Sequence, residues 1–211
     1  MMMDVRPNID LTKIYWAKLY WAKICWRQVI VFVTIALFSP IFSPIVSADQ
    51  HDPKLDGLFT ALQTSLSPAK AANYEREIWA RWTKFPDNSL INGQMANGIN
   101  LMNAGRLDEA EAAFSAIIAR QPSFAEAWNK RATVRFFRGN DDGSARDILQ
   151  VITLEPRHFG ALSGLGMIRV RAGDLQGGLQ AYRAAQRLNP HLPNIETIIN
   201  RLAKQLNGRA L

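Results

Sequence analysis

A period of 34 residues is the feature that most constrains the fold of this chain. Pro122, Pro156 and Pro190 are each separated by this interval. Four further registers keep the same spacing: Gly98, Ala132 and Gly166; Gly105, Gly139 and Gly173; Ala110, Ser144 and Gly178; Phe114, Ile148 and Tyr182. Five registers that share one period across three copies indicate an array of stacked structural repeats.

Each copy predicts two antiparallel helices. In the third copy, Gly173 ends the first helix, because glycine adopts the left-handed conformation common just after a helix end. A second helix follows from Leu175 to Leu188, and Pro190 prevents it from continuing. Gly178 lets the two helices approach closely. Because one such hairpin cannot bury its own apolar face, the copies must stack, and the chain is predicted to be all-α.

The pattern resembles that of the tetratricopeptide repeat (TPR) family, whose repeat has this length and order of features. The resemblance is best in three copies, 91–124, 125–158 and 159–192, which we predict as three TPR repeats. It implies a right-handed solenoid of stacked helix-turn-helix repeats. Trp128 matches the early aromatic residue of the family. Arg131 and Arg135 depart from it, because they occupy positions expected to pack, where their aliphatic stems can lie along apolar surface.

The segments on either side of the repeats are predicted to be caps. Residues 49–90 form a degenerate helical hairpin outside the 34-residue register, and Ser67 with Pro68 marks the start of its second helix. Residues 193–211 form a C-terminal helix with one apolar stripe. Capping helices of this kind cover the ends of a repeat array and keep it soluble.

Residues 1–48 are predicted to be an N-terminal leader. The stretch from Val29 to Ala48 carries no charge, with Lys23 and Arg27 before it and Asp49 after it. This asymmetry directs the following residues across a membrane. The leader is either a signal peptide cleaved after Ala48 or an uncleaved signal anchor. Both alternatives place the repeats in the periplasm, free in the first case and attached to the inner membrane in the second.

The net charge of +7 is a poor argument for a nucleic-acid partner. The first 48 residues contribute +3 of this charge, so the repeats and caps carry only a modest excess of positive charge. The chain has a single cysteine, Cys25, which lies in the leader. An internal disulfide framework is therefore excluded, and we expect no nucleic acid as a partner.

No catalytic, cofactor or metal site is predicted. His158 and His191 follow turn prolines and have no cysteines or paired carboxylates at the spacing of metal ligands, so we interpret them as loop histidines. The run from Asn140 to Gly143 lacks the alternating ligands of a calcium loop and is expected to cap a helix. We therefore expect a protein that is not an enzyme and needs no cofactor.

The resemblance implies a partner-binding surface, because the first helices of TPR repeats line a concave groove that commonly binds a peptide or a helix. The positions that would face this groove are Asn92, Met95, Ile99 and Met102 in the first copy, Asn129, Thr133 and Phe136 in the second, and Ser163, Met167 and Val170 in the third. Their character suits an apolar peptide or amphipathic helix. The alternative is that they pack against the N-terminal hairpin or a second copy of the chain.

A clamp for a terminal carboxylate is not supported, since only Asn129 and Lys130 have the required character. The predicted function is a non-catalytic protein–protein interaction adaptor in the cell envelope, acting in the assembly or maturation of an envelope complex. The alternative is a self-associating structural module of a membrane-anchored complex. The protein partner and the oligomeric state stay open, and contact with a membrane is expected only through an uncleaved leader.

Overall fold

A computed structural model describes residues 52–208, and every regular element in this range is an α-helix. The predicted leader lies outside the described residues. The helices are α1 (Lys54–Thr64), α2 (Pro68–Trp82), α3 (Ser89–Asn103), α4 (Leu107–Arg120), α5 (Ala125–Phe137), α6 (Asp141–Leu154), α7 (Phe159–Arg171), α8 (Leu175–Leu188) and α9 (Ile195–Asn207).

Helices α3 to α8 form three consecutive hairpins, and each helix from α3 to α8 packs against the next. The first helices of neighbouring hairpins, α3, α5 and α7, also contact one another in that order. This arrangement confirms the predicted all-α helical repeat solenoid. No helix between residues 52 and 208 combines the length and the apolar character needed to cross a membrane.

The repeated glycines end the first helix of each hairpin. Gly105, Gly139 and Gly173 have φ values of +72°, +76° and +84°, which only glycine adopts without strain. After α7, the Gly173 N–H donates to the carbonyl of Val170 (3.0 Å) and the Asp174 N–H to that of Arg169 (2.9 Å). The predicted end of the first helix in the third copy is therefore confirmed.

Short polar side chains begin several helices by accepting a hydrogen bond from the first turn. Asn140 Oδ1 accepts the Gly143 N–H (2.9 Å) at the start of α6, and Ser67 accepts the Lys70 N–H (3.4 Å) at the start of α2. Both predicted capping positions are confirmed.

Close contacts between the helices of one hairpin explain the registers of small and large residues. A methyl group at Gly98 would lie 2.7 Å from the Phe114 ring, and one at Gly166 would lie 2.9 Å from the Tyr182 ring. In the second hairpin, Ser144 Oγ instead donates to the carbonyl of Ala132 (2.7 Å). The 34-residue spacing of these registers thus reflects the positions at which the two helices of each hairpin contact each other.

The N-terminal hairpin, α1 with α2, does not extend the array beyond the first repeat. It lies against the second and third repeats, where its apolar core joins Phe159, Leu188 and Leu192. Asp56 pairs with Arg157 (2.6 Å), and Gln63 donates to the carbonyl of Arg187 (3.2 Å). The sequence pattern identified the hairpin but not the repeats against which it packs.

Candidate functional site

A pocket of about 320 Å³ lies between α5 and α7, the first helices of the second and third repeats. Five of the residues predicted for the groove line it: Asn129, Thr133, Phe136, Ser163 and Met167. Its surface is mostly apolar. The structure therefore brings together the predicted groove residues of two neighbouring repeats in one concave site of the size used for ligands.

Two apolar side chains at the pocket are largely open to solvent. Phe137 is 63% exposed and Met167 is 43% exposed, and both line the pocket, with Ile148 and Leu192 also in its wall. Phe137 was not among the predicted groove residues, although two adjacent aromatic residues at the end of a helix cannot both face the core.

The first repeat does not contribute to this pocket, and the assignment of Met95 to the groove is corrected. Its side chain is 2% exposed and belongs to the core around Phe114, because its position on α3 faces α4. Ile99 and Met102 pack, partly buried, against the same core. A partner cannot reach Met95 without unfolding this repeat.

Two other predicted groove residues have local structural roles. Asn92 bonds to the backbone of Phe85 in both directions, accepting its N–H (2.7 Å) and donating to its carbonyl (2.9 Å). Val170 packs against the cluster formed by α8 and α9 and does not line the pocket. Asn92 thus holds the segment that precedes α3, and Val170 contributes to the apolar packing of α8 and α9.

Next to the pocket, a buried polar cluster joins the N-terminal ends of α5 and α7. Glu126 and His158 are 1% and 0% exposed, and His158 Nε2 lies 2.9 Å from Glu126 Oε2. His158 Nδ1 accepts the Ala161 N–H (3.1 Å) and so caps α7. Because Nδ1 is an acceptor, the ring proton of the neutral imidazole sits on Nε2 and is donated to Glu126. His158 is thus a satisfied structural histidine, as predicted.

Glu126 gathers two further donors from its own helix. Asn129 Nδ2 donates to Glu126 Oε2 (3.0 Å), and Lys130 Nζ lies 3.0 Å from Oε1. Burial alone would raise the pKa of the Glu126 carboxyl, but the charge of Lys130 and the hydrogen bond from His158 outweigh it, so the pKa lies below the ordinary value of 4.5. Asn129 and Lys130 are therefore engaged by Glu126 rather than free for a partner's carboxylate.

Aromatic rings of the N-terminal hairpin cover this cluster. The Trp82 ring stacks on His158 with centroids 4.2 Å apart and an interplanar angle of 11°. Trp79 meets the rings of His158 and Phe159 edge-on, with centroids 5.4 Å away in each case. The hairpin thereby forms part of the surroundings of the candidate site.

Arg131 and Arg135, which departed from the family pattern, are held in an ionic network on the other side of α5. Asp147 is 2% exposed, and its carboxylate accepts from Arg131 Nε (2.8 Å) and Arg135 Nη1 (2.9 Å). Arg135 also pairs with Glu111 of α4 (2.8 Å). The two arginines therefore connect α4, α5 and α6, a role the periodicity did not reveal.

Within residues 52–208, no group of three or more His, Cys, Asp or Glu side chains is placed to hold a metal ion. The chemistry that the candidate site offers is a mostly apolar, concave contact surface with a buried polar cluster beside it.

Comparisons with known proteins agree with this fold. The family model described as tetratricopeptide repeat matches residues 95–153 and 130–193. A TPR repeat-containing protein from Rhizobium etli is 35% identical over 155 residues, which cover 74% of this chain and 76% of that protein.

Solved structures share the fold at low sequence identity. The first TPR of Spaghetti (RPAP3), bound to an HSP90 peptide, is 17% identical with a TM-score of 0.54, covering 57% of this chain and 96% of that one. The type III secretion chaperone SycD of Yersinia enterocolitica, in complex with a peptide of the translocator YopD, is 13% identical with a TM-score of 0.50, covering 58% and 93%. The repeat period, the helix pairs and the relative from Rhizobium etli together show that the chain belongs to the tetratricopeptide repeat family.

Proposed function

We propose that this protein is a non-catalytic interaction adaptor that binds a peptide or helix of a protein partner in the groove between α5 and α7. The observation that carries the proposal is the apolar pocket of about 320 Å³, at whose edge Phe137 and Met167 expose large apolar side chains. Exposed apolar surface around a concave site is typical of binding sites.

The chemistry of the pocket favours a peptide or helix over a small polar ligand. Thr133 and Ser163 are its hydroxyl-bearing lining residues from α5 and α7, whereas Phe136, Phe137 and Met167 provide apolar contact area. Methionine adapts its shape to irregular apolar partners. Two proteins of similar fold are described as bound to peptides, which supports the same mode of binding here.

Site-specific photocrosslinking in cells tests this function. A photoreactive amino acid at Phe137 is expected to capture a distinct partner protein, because that side chain lies at the pocket and is exposed. Leu149 on α6 is the matched control, since it is 54% exposed but does not line the pocket. Equal capture from both positions would contradict the groove assignment. A product linking two copies of this chain through Phe137 would favour self-association instead.

We further propose that the adaptor works in the cell envelope, in the assembly or maturation of an envelope complex. The support is the uncharged stretch from Val29 to Ala48, which follows basic residues and precedes an acidic one. The N-terminal residue of the protein recovered from cells tests the two alternatives for the leader. Asp49 at the N-terminus is expected for a cleaved signal peptide, and an intact N-terminus for an anchored protein.

A further inference from the structure

Helix α3, the first helix of the repeat array, lacks a neighbour that the later repeats have. At each later junction, the second helix of one hairpin packs against the helix that follows it: α4 against α5, α6 against α7 and α8 against α9. The N-terminal hairpin does not supply such a helix to α3, because it packs against the second and third repeats instead. Within the part of the chain that the structure describes, no preceding repeat therefore covers the outer side of α3.

The 34-residue register identifies which residues of α3 are left uncovered. The equivalent residues of the second and third repeats are buried in cores that they share with the preceding hairpin: Phe124, Ala127 and Val134, then Ala161 and Ile168. Their counterparts in α3 are Leu90, Gly93 and Asn100, with Asn97 on the same face of the helix. All four are exposed, and Leu90 has 60% of its surface open to solvent. Helix α3 thus presents to solvent the face through which the later repeats stack.

The two ends of the array differ in charge. None of the 15 residues of α3 is acidic or basic. At the other end, the exposed side chains of α9 include Glu196, Arg201 and Lys204. A polar outer face of this kind keeps the end of a repeat array soluble. Because α3 offers no charge to pair with those of α9, head-to-tail stacking of copies would remove the α9 charges from water without compensation.

We propose that the outer face of α3, formed by Leu90, Gly93, Asn97 and Asn100, is an interface with a second copy of this chain related by a two-fold axis. In such an interface the same surface patch meets itself, so a charged face would meet its own sign and an uncharged face does not. Asparagine amides both donate and accept hydrogen bonds, which lets two identical faces pair. Leu90 adds apolar area, and Gly93 allows the helices to approach closely. The inference goes beyond the proposed function and is independent of it, since no residue of α3 lines the pocket.

Cysteine cross-linking of the full chain in intact cells tests this interface. Cys25, the single cysteine of the chain, is first replaced by serine. A short bis-maleimide then links introduced cysteines that lie close together in two molecules. Asn97→Cys is expected to give a product with the mass of two copies of the chain. Asn200→Cys is the matched control, because Asn200 is an exposed asparagine on α9, at the other end of the array, and should give no such product.

Charge variants at Asn97 test the two-fold geometry in the purified full chain. Asn97→Asp and Asn97→Lys each place like charges across the axis and should weaken the dimer about tenfold or more, since like charges that face each other in an interface are strongly unfavourable. A mixture of the two variants brings opposite charges together and should restore the dimer. Sedimentation velocity measures the dimer fraction in each sample. A variant that fails to fold could not recover in the mixture, and the same pair of substitutions at Asn200 should leave sedimentation unchanged.

The outcomes decide between a second copy and any other occupant of this face. A linked dimer from Asn97→Cys together with recovery in the mixture supports the inference. Equal linking from Asn97→Cys and Asn200→Cys, or a chain that sediments as a monomer at every concentration, would overturn it. A product that joins Asn97→Cys to a different protein would assign the face to another partner and overturn the second copy. The groove function is judged separately, by capture from Phe137.

Discussion

At the scale of single residues, two glycines of α3 differ in what surrounds them. Gly98 faces the buried ring of Phe114, and a methyl group there would lie 2.7 Å from its Cε1 atom. Gly93 is exposed, and a methyl group there would have nothing within 4 Å. Replacing each glycine with alanine therefore separates the cost of close helix packing from the gain in helix propensity.

Gly98→Ala is expected to destabilise the protein, because overpacking a close helix contact costs about 1–3 kcal/mol and exceeds the gain in helix propensity. Gly93→Ala is expected to stabilise it by about 0.5–1 kcal/mol. Urea unfolding of both variants measures the difference. A stabilised Gly98→Ala variant would show that the Phe114 ring moves aside without cost.

Glu126 predicts a specific dependence of stability on pH. Since its pKa in the folded state lies below 4.5, the folded protein binds the proton less tightly than the unfolded chain does. The stabilisation from the carboxylate is therefore complete above the unfolded pKa and is lost as the pH falls through the lowered folded pKa. The difference in unfolding free energy between wild type and Glu126→Gln should shrink as the pH falls from about 6 to about 3.

Denaturant titrations at several pH values measure this difference. The same substitution at Glu77, on α2, serves as the control. The Glu77 side chain is 56% exposed and pairs only with Arg81 among the described ion pairs. A difference between wild type and Glu126→Gln that stays constant with pH would mean that the Glu126 charge contributes nothing to stability.

At the scale of helices, Asp147 pairs with the two arginines that connect α4, α5 and α6. Asp147→Ala would leave Arg131 and Arg135, whose side chains are 12% and 19% exposed, without their shared partner. We expect a loss of about 3 kcal/mol in unfolding free energy, since removing one member of a buried ionic group leaves uncompensated charge. Thermal and urea unfolding measure it. Glu77→Ala removes an exposed pair and should cost less than about 1 kcal/mol, so equal losses would contradict the network's role.

The helices of the repeats could be predicted because their signals are local. Gly173 ends α7 through its own backbone conformation, and Asn140 starts α6 through a bond to Gly143 three residues away. The pocket was predictable in part, because the resemblance to the TPR family implied that Thr133, Phe136, Ser163 and Met167 face the groove. Met95 was misassigned because the side of α3 that faces α4 depends on how the helix is rotated against Phe114.

At the scale of the whole molecule, the position of the N-terminal hairpin could not be predicted from periodicity. Its contacts join residues far apart in the chain, such as Trp82 with His158 and Asp56 with Arg157. The spacing of the aromatic residues does not indicate which repeat they contact. The same limitation hid the contact between Trp79 and Gly160, which arises only through this packing.

The hairpin should also behave as a separate unit of stability. Phe159 is fully buried, and its ring centroid lies 5.4 Å from Trp79, 5.2 Å from Trp82 and 6.3 Å from Phe59. Phe159→Ala removes the ring that all three contact and is expected to cost about 3–5 kcal/mol at this interface. The first repeat has its own core around Phe114, to which α1 and α2 contribute no residue, so the loss should stay local.

Hydrogen exchange followed by mass spectrometry measures this division. In Phe159→Ala, amides of α1 and α2 should exchange faster, while those of α3 and α4 keep their protection. Phe137→Ala is the control, because that ring is 63% exposed and should leave exchange in the hairpin unchanged. Uniformly faster exchange in all helices would mean that hairpin and repeats unfold as one cooperative unit.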